Sequence, residues 1–131
     1  MKFIFELYRT KQKRELINSN DRLHFQQKAK MTKALRDKAK MVVENKLDTT
    51  TLPLYDKDKP CKVKVTIYSP TRRRLDPPNL YPTVKALIDG MTDAQLWTDD
   101  NYEVIKSMSF EYGGLSGSKA YKIELETEKL T

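Results

Sequence analysis

Among 131 residues the chain has one cysteine, Cys61, one histidine, His24, and one tryptophan, Trp97. A lone cysteine cannot pair within the chain, so a disulfide framework and a cysteine-based zinc site are both excluded, and a reducing, cytoplasmic location is expected. Glycine is sparse, with four, and proline is limited to six, which removes collagen-like and low-complexity architectures from consideration. No apolar run approaches the roughly twenty residues that cross a bilayer. The first strand-like segment carries Lys2 and Glu6, so neither a membrane span nor a secretory signal is expected.

Charge is what the chain has in abundance: 33% of residues are charged, against 38% hydrophobic, with a net charge of +7. That profile is one strongly solvated domain spanning 1–131, with a modest core for which homodimer formation supplies extra burial. The distribution of charge says more than its total. Residues 1–74 hold 20 Lys and Arg against 8 Asp and Glu, a net +12, while residues 75–131 hold 5 against 10, a net −5. A basic surface beside an acidic cluster suits a protein that attracts a polyanion and holds a cation against it. A solvated surface without a partner would have the same composition.

Periodicity divides the chain into elements. Phe3, Phe5 and Leu7 alternate with Lys2, Ile4, Glu6 and Tyr8, which predicts a first strand with one buried face. Residues 9–18 read as a basic loop, and Ser19, Asn20 and Asp21 supply helix N-cap candidates. Met31, Leu35, Ala39, Val42 and Val43 then recur at helical spacing to about Glu44. The opposite positions of this helix, Lys28, Lys30, Lys33, Arg36, Lys38 and Lys40, suit either a phosphate backbone or bulk solvent. Residues 47–60 read as a connector. Val63, Val65 and Ile67, alternating with Lys62, Lys64, Thr66 and Tyr68, give the clearest strand.

A second helix is predicted from Asn79 or Pro82 to Met91, with Leu80, Val84, Leu87, Ile88 and Met91 as its apolar face and Gly90 weakening its end. Two strands follow, Val104–Tyr112 and Lys119–Thr127, with Gly113, Gly114 and Gly117 read as a hairpin loop between them. The fold class is therefore α+β: a single domain in β-α-β-α-β-β order, one mixed sheet with two helices packed on it.

Three features carry chemistry. Thr71-Arg72-Arg73-Arg74-Leu75-Asp76-Pro77-Pro78-Asn79 follows the clearest strand, and three consecutive arginines there point to solvent or to an anion. Lys85 and Asp89 lie one helical turn apart, as an intrahelical salt bridge or as part of a site. Trp97-Thr98-Asp99-Asp100-Asn101 places two carboxylates side by side, a repulsion that a divalent cation or a basic group relieves and that a turn or cap also accommodates. His24 is read as a capping or packing residue, Trp97 as a core anchor, and Cys61 as a strand residue.

In this order, the arginine stretch, Asp76, Asn79, Lys85, Asp89 and Trp97-Thr98-Asp99-Asp100 resemble the signature of the RusA family of Holliday-junction resolvases, many of them carried by phages and prophages. Asn20-Asp21-Arg22-Leu23-His24-Phe25, leading into a basic helix, is similar to the N-terminal segment of such members. The likeness runs from about residue 18 to 112. It implies a homodimeric, Mg²⁺-dependent endonuclease, with Mn²⁺ as substitute ion, that nicks four-way junctions and other branched DNA in recombination and repair.

Carried over, the resemblance implies catalytic roles for Asp76, Lys85, Asp99 and Asp100, metal binding by Asp76, Asp89, Asp99 and Asp100, and DNA contact by Arg72, Arg73, Arg74, Lys30, Lys33 and Lys85. The chain departs from the family pattern at one place. Where Asp-x-Asp-Asn is usual, only Asp76 and Asn79 are present: either Arg74 stands for the first aspartate or Pro78 for the second. The interval from Asn79 to Lys85 is also three residues longer.

Overall fold

The computed structural model of the protein describes residues 1–130. Alternation builds the sheet as the sequence predicts. In β1 (Lys2–Leu7) Phe3, Phe5 and Leu7 are buried and their neighbours exposed. In β2 (Cys61–Ser69) every second residue is buried, and in β4 (Tyr121–Lys129) Ile123, Leu125 and Thr127 face the same side. β3 (Ile105–Leu115) completes a four-stranded sheet in the order β1-β4-β2-β3. β2 runs parallel to β3, and the β1–β4 and β2–β4 pairs are antiparallel.

β3 and β4 are thus successive in sequence but not paired, which corrects the hairpin expectation. β2 carries the most continuous apolar face, and a strand buried in this way sits at the sheet's interior with both edges hydrogen-bonded. It lies between β3 and β4, and the link between those strands crosses its end, where Ser116 N–H donates to the Ser69 carbonyl at 2.8 Å. Gly113 and Gly114 belong to β3 rather than to a loop, and Gly113 leaves room for the Tyr68 ring, which a Cβ there would meet at 2.5 Å.

One face of the sheet carries both helices. α1 (Phe25–Lys46) buries a narrow stripe of Met31, Leu35, Ala39 and Val43 and runs along β1, with Lys38 Nζ donating to the Glu6 carbonyl and Lys46 Nζ to that of Lys2. α2 (Tyr81–Asp93), led in by a 3-10 turn at Pro77–Leu80, buries Thr83, Val84, Ala86, Leu87, Ile88, Gly90 and Met91, so it is covered on most sides. One apolar core joins both helices to β1, β2 and β4. Each large side chain fully buried there stabilises the fold by about 1.5–3 kcal/mol.

The first helix begins later than the Ser19–Asp21 cap candidates suggest. His24 is the N-cap, its Nδ1 accepting from Gln26 N–H at 3.2 Å. Asp21 instead accepts from Asn18 N–H and pairs with Arg9 and Arg14, closing the basic loop on itself. That loop also buries Leu16 and Ile17, and Ile17 exchanges hydrogen bonds with the Thr83 hydroxyl. It is therefore stapled to the start of α2. Trp97 is a core anchor and Cys61 a buried strand residue, as read from the sequence.

Candidate functional site

Two helical residues and one loop residue meet at a single ammonium group. Lys85 and Asp89 lie a turn apart on α2, and Lys85 Nζ donates to Asp89 Oδ1 at 2.7 Å and to Asp100 Oδ2 at 2.9 Å. Asp100 comes from a separate segment, held by a chain of constraints that begins at the end of α2. Gln95 takes a left-handed conformation, φ 65°, which reverses the chain so that Leu96 N–H returns to the Met91 carbonyl. Leu96 and Trp97 are fully buried, the indole N–H donates to the Thr92 hydroxyl, and Thr98 N–H donates to the Tyr55 carbonyl. The carbonyl of Asn101 then accepts from Val104 and Ile105 N–H. Asp100 is consequently presented by a rigid turn.

The charges are matched. Burial pushes the Asp100 carboxyl up, but the hydrogen bond from Lys85 and the charge of its ammonium outweigh it and hold the group below the usual carboxylate range. Burial pushes the Lys85 ammonium down, and its bonds to Asp89 and Asp100 outweigh that and raise it. Lys85 and Asp100 are accordingly charged at neutral pH.

Asp99 has a different task. One of its oxygens accepts from Asp100 N–H at 2.7 Å and the other from the Asn101 side chain at 3.1 Å, so it shapes the turn. Its side lines a separate depression with Asp56, Asp58 and Glu103. Asp76, at the entry to the 3-10 turn, pairs with Arg74 at 3.7 Å, an exposed contact of little energetic weight. Of the four expected metal-binding carboxylates, two therefore converge. No group of three or more His, Cys, Asp or Glu side chains is placed to hold a metal ion among the described residues.

Mg²⁺ is commonly held by one or two carboxylates, with waters and substrate phosphate filling its remaining positions. The Asp89–Asp100 pair fits that donor set, and the Lys85 ammonium stands where such a cation would bind.

The basic residues fall into two zones. Arg72, Arg73 and Arg74 are all exposed on the loop after β2. Its start is tied down by Ser69, whose hydroxyl donates to the Thr71 carbonyl and bonds the Tyr112 hydroxyl. Lys30 and Lys33 are exposed on α1, Lys33 pairing with Asp37.

The sequence places Arg36 on the basic face of the first helix but gives no hint of its partner. Its guanidinium grips Asp93 at the C-terminal end of α2, with Nη2 to Oδ1 at 2.8 Å, and its charge is further stabilised by Asp89 and Asp100. An acid at a helix C-terminus opposes the helix dipole, so this partner offsets an otherwise unfavourable position. Sequence supplies no signal for a pair 57 residues apart.

No helix among the described residues is long and apolar enough to cross a membrane. No protein-family model matches the chain, and no curated protein matches it either.

Proposed function

We propose that the protein is a Mg²⁺-dependent structure-selective endodeoxyribonuclease of the RusA type, acting on four-way junctions and other branched DNA. The observation that carries this reading is the meeting of Asp89 and Asp100 at Lys85, with Arg36 of the basic helix α1 paired to Asp93 one turn further along α2. Arg72 to Arg74 and the exposed lysines of α1, Lys30 and Lys33 among them, would gather the phosphate backbone without reading sequence. Lys85 carries a charge kept in place by two carboxylates, and on approach of a phosphate it would turn its donors to the diester oxygens.

Asp89 and Asp100 would hold the Mg²⁺, with Mn²⁺ as substitute. A bound ion supplies positive charge to the scissile phosphate and makes water a better nucleophile. Asp99 is a positioning residue in this reading, fixing the turn that presents Asp100. Asp76 pairs with Arg74 and not with Lys85, and its substitution should cost less activity than that of Asp100.

Two copies are proposed to act together, matching the two-fold symmetry of a four-way junction. Support comes from β3, an edge strand on which Tyr112 and Leu115 are 47% and 48% exposed. Sedimentation should then give a dimer, and Leu115→Asp should shift it toward monomer.

A second reading, a branched-DNA-binding protein that does not cleave, is favoured by the convergence of only two carboxylates. Incubation of a synthetic four-way junction with Mg²⁺ or Mn²⁺ separates the two. Paired nicks support the enzyme, and tight binding without nicks supports the binder.

A further inference from the structure

An open groove of about 620 Å³ lies where the first half of α1 passes the end of α2. Phe25, Ala29 and Thr32 give it an apolar wall, and Lys28 and Lys33 lie along it. Phe25 is unusual for its position. It is the first residue of α1 and is 73% exposed, with its ring stacked on His24 at a centroid distance of 4.7 Å. His24 cannot drift, because its Nδ1 caps the helix through Gln26 N–H. A flat aromatic surface backed by a second, anchored ring is thus held open to solvent.

Charge selects the occupant. The groove's two carboxylates are already engaged, Asp37 by Lys33 and Asp93 by Arg36, whereas Lys28 has no ion pair among the described residues. α1 as a whole holds seven Lys and Arg against two Asp and Glu. A second copy of this chain would bring another +7 to that surface, while a polyanion is attracted to it. A ligand that is anionic along its backbone and has flat apolar faces satisfies both the charge and the rings. The groove includes the Arg36–Asp93 pair, and Asp93 lies one turn of α2 beyond Asp89, so the groove adjoins the candidate site.

We propose that this groove takes an unstacked nucleobase of the DNA, laid against Phe25, with an adjoining phosphate on Lys28. The proposal rests on the nuclease reading and deepens it: a branch point offers unstacked bases, and a base captured here would set the strand's position relative to Lys85. Stacking on an aromatic ring tolerates any base, so this contact selects for DNA structure rather than sequence.

The test uses the full chain in low salt with chelator, and a duplex containing a bulge of thymidines against the same duplex with abasic residues in the bulge. Both carry the same phosphates. Wild type should bind the thymidine bulge on the order of ten-fold more tightly. Phe25→Ala, at an exposed position that leaves the fold intact, should abolish the difference while still binding both. Phe25→Trp should restore it, with the new indole's emission quenched by the thymidine bulge only. Equal affinity of wild type for the two duplexes, or a preference that survives Phe25→Ala, overturns the proposal. If junction nicking by wild type persists in that case, only the groove assignment falls; if wild type binds neither duplex nor junction, the nuclease reading falls with it.

Discussion

Gly90 of α2 lies directly on the backbone carbonyl of Arg36 in α1: a Cβ at Gly90 would stand 2.1 Å from that oxygen and 2.9 Å from the Ala39 Cβ. The two helices cross where α2 has no side chain and α1 offers only the methyl group of Ala39. The crossing sets Arg36 beside Asp93 and within the field of Asp89 and Asp100.

Gly90→Ala should therefore destabilise the protein, although alanine is the better helix former. Intrinsic propensity favours Ala by about 1 kcal/mol, while overpacking against a fixed backbone costs about 1–3 kcal/mol or more. The oxygen cannot move aside as a side chain would, so the net change should be a loss of about 1–2 kcal/mol, read as a lower urea midpoint at unchanged slope. A rise in midpoint would show that the helices separate freely.

Gln95 offers the opposite change. It adopts φ 65° at the end of α2, a conformation that costs an ordinary side chain about 1–2 kcal/mol and glycine nothing. Glycine's greater freedom in the unfolded chain takes back about 0.5–1 kcal/mol. Gln95→Gly should then stabilise by up to about 1 kcal/mol in the same urea titration, and a destabilisation would contradict the strain.

Much of this was legible in the sequence, and the rest was hidden for physical reasons. Alternation in Phe3-Phe5-Leu7 and Val63-Val65-Ile67 reports which face is buried, because side chains on a strand alternate by geometry. The α+β class and the element order follow from it. Strand partners do not: Gly113 and Gly114 look like a hairpin loop, yet the order β1-β4-β2-β3 depends on which strand must be interior. Ser19 to Asp21 have the chemistry of a cap, but Asp21 has stronger partners in Arg9 and Arg14. At the site, the Lys85–Asp89 turn was readable from spacing alone. Arg36–Asp93 and the role of Gly90 were not, since both depend on how two helices distant in sequence cross.

Acid and base should reveal the Lys85–Asp100 contact. The Asp100 carboxyl is held below its usual 3.8, so its share of stability is complete above that pH and is lost as pH falls through the folded value. Lys85 is raised from 10.5, so its share is complete below that pH and is lost as pH rises through the folded value. The gap in melting temperature between wild type and Lys85→Met should be widest between these limits and narrow on the acid side. In Lys85→Met, carbon-detected NMR should show the Asp100 carboxyl titrating higher than in wild type. An unchanged titration would mean that the ammonium does not govern it.

Salt dependence tests the arginine loop. If Arg72, Arg73 and Arg74 each meet one phosphate, replacing all three with alanine should reduce the slope of log K against log salt by about three. All three side chains are exposed, so stability should hardly change. A slope equal to wild type would remove this loop from the DNA surface.

In the proposed function Asp89 and Asp100, around Lys85, form the centre that cleaves DNA. Single-turnover nicking of a synthetic four-way junction in Mg²⁺, with junction affinity measured in parallel, tests it most directly. Wild type should make paired nicks; Asp100→Asn and Asp89→Asn should bind the junction as tightly as wild type and lose at least about a hundred-fold in rate, equivalent to about 2.7 kcal/mol of barrier. Asp76→Asn should lose less. Tight binding by wild type with no nicking in either Mg²⁺ or Mn²⁺, or undiminished nicking by Asp100→Asn, would rule that centre out.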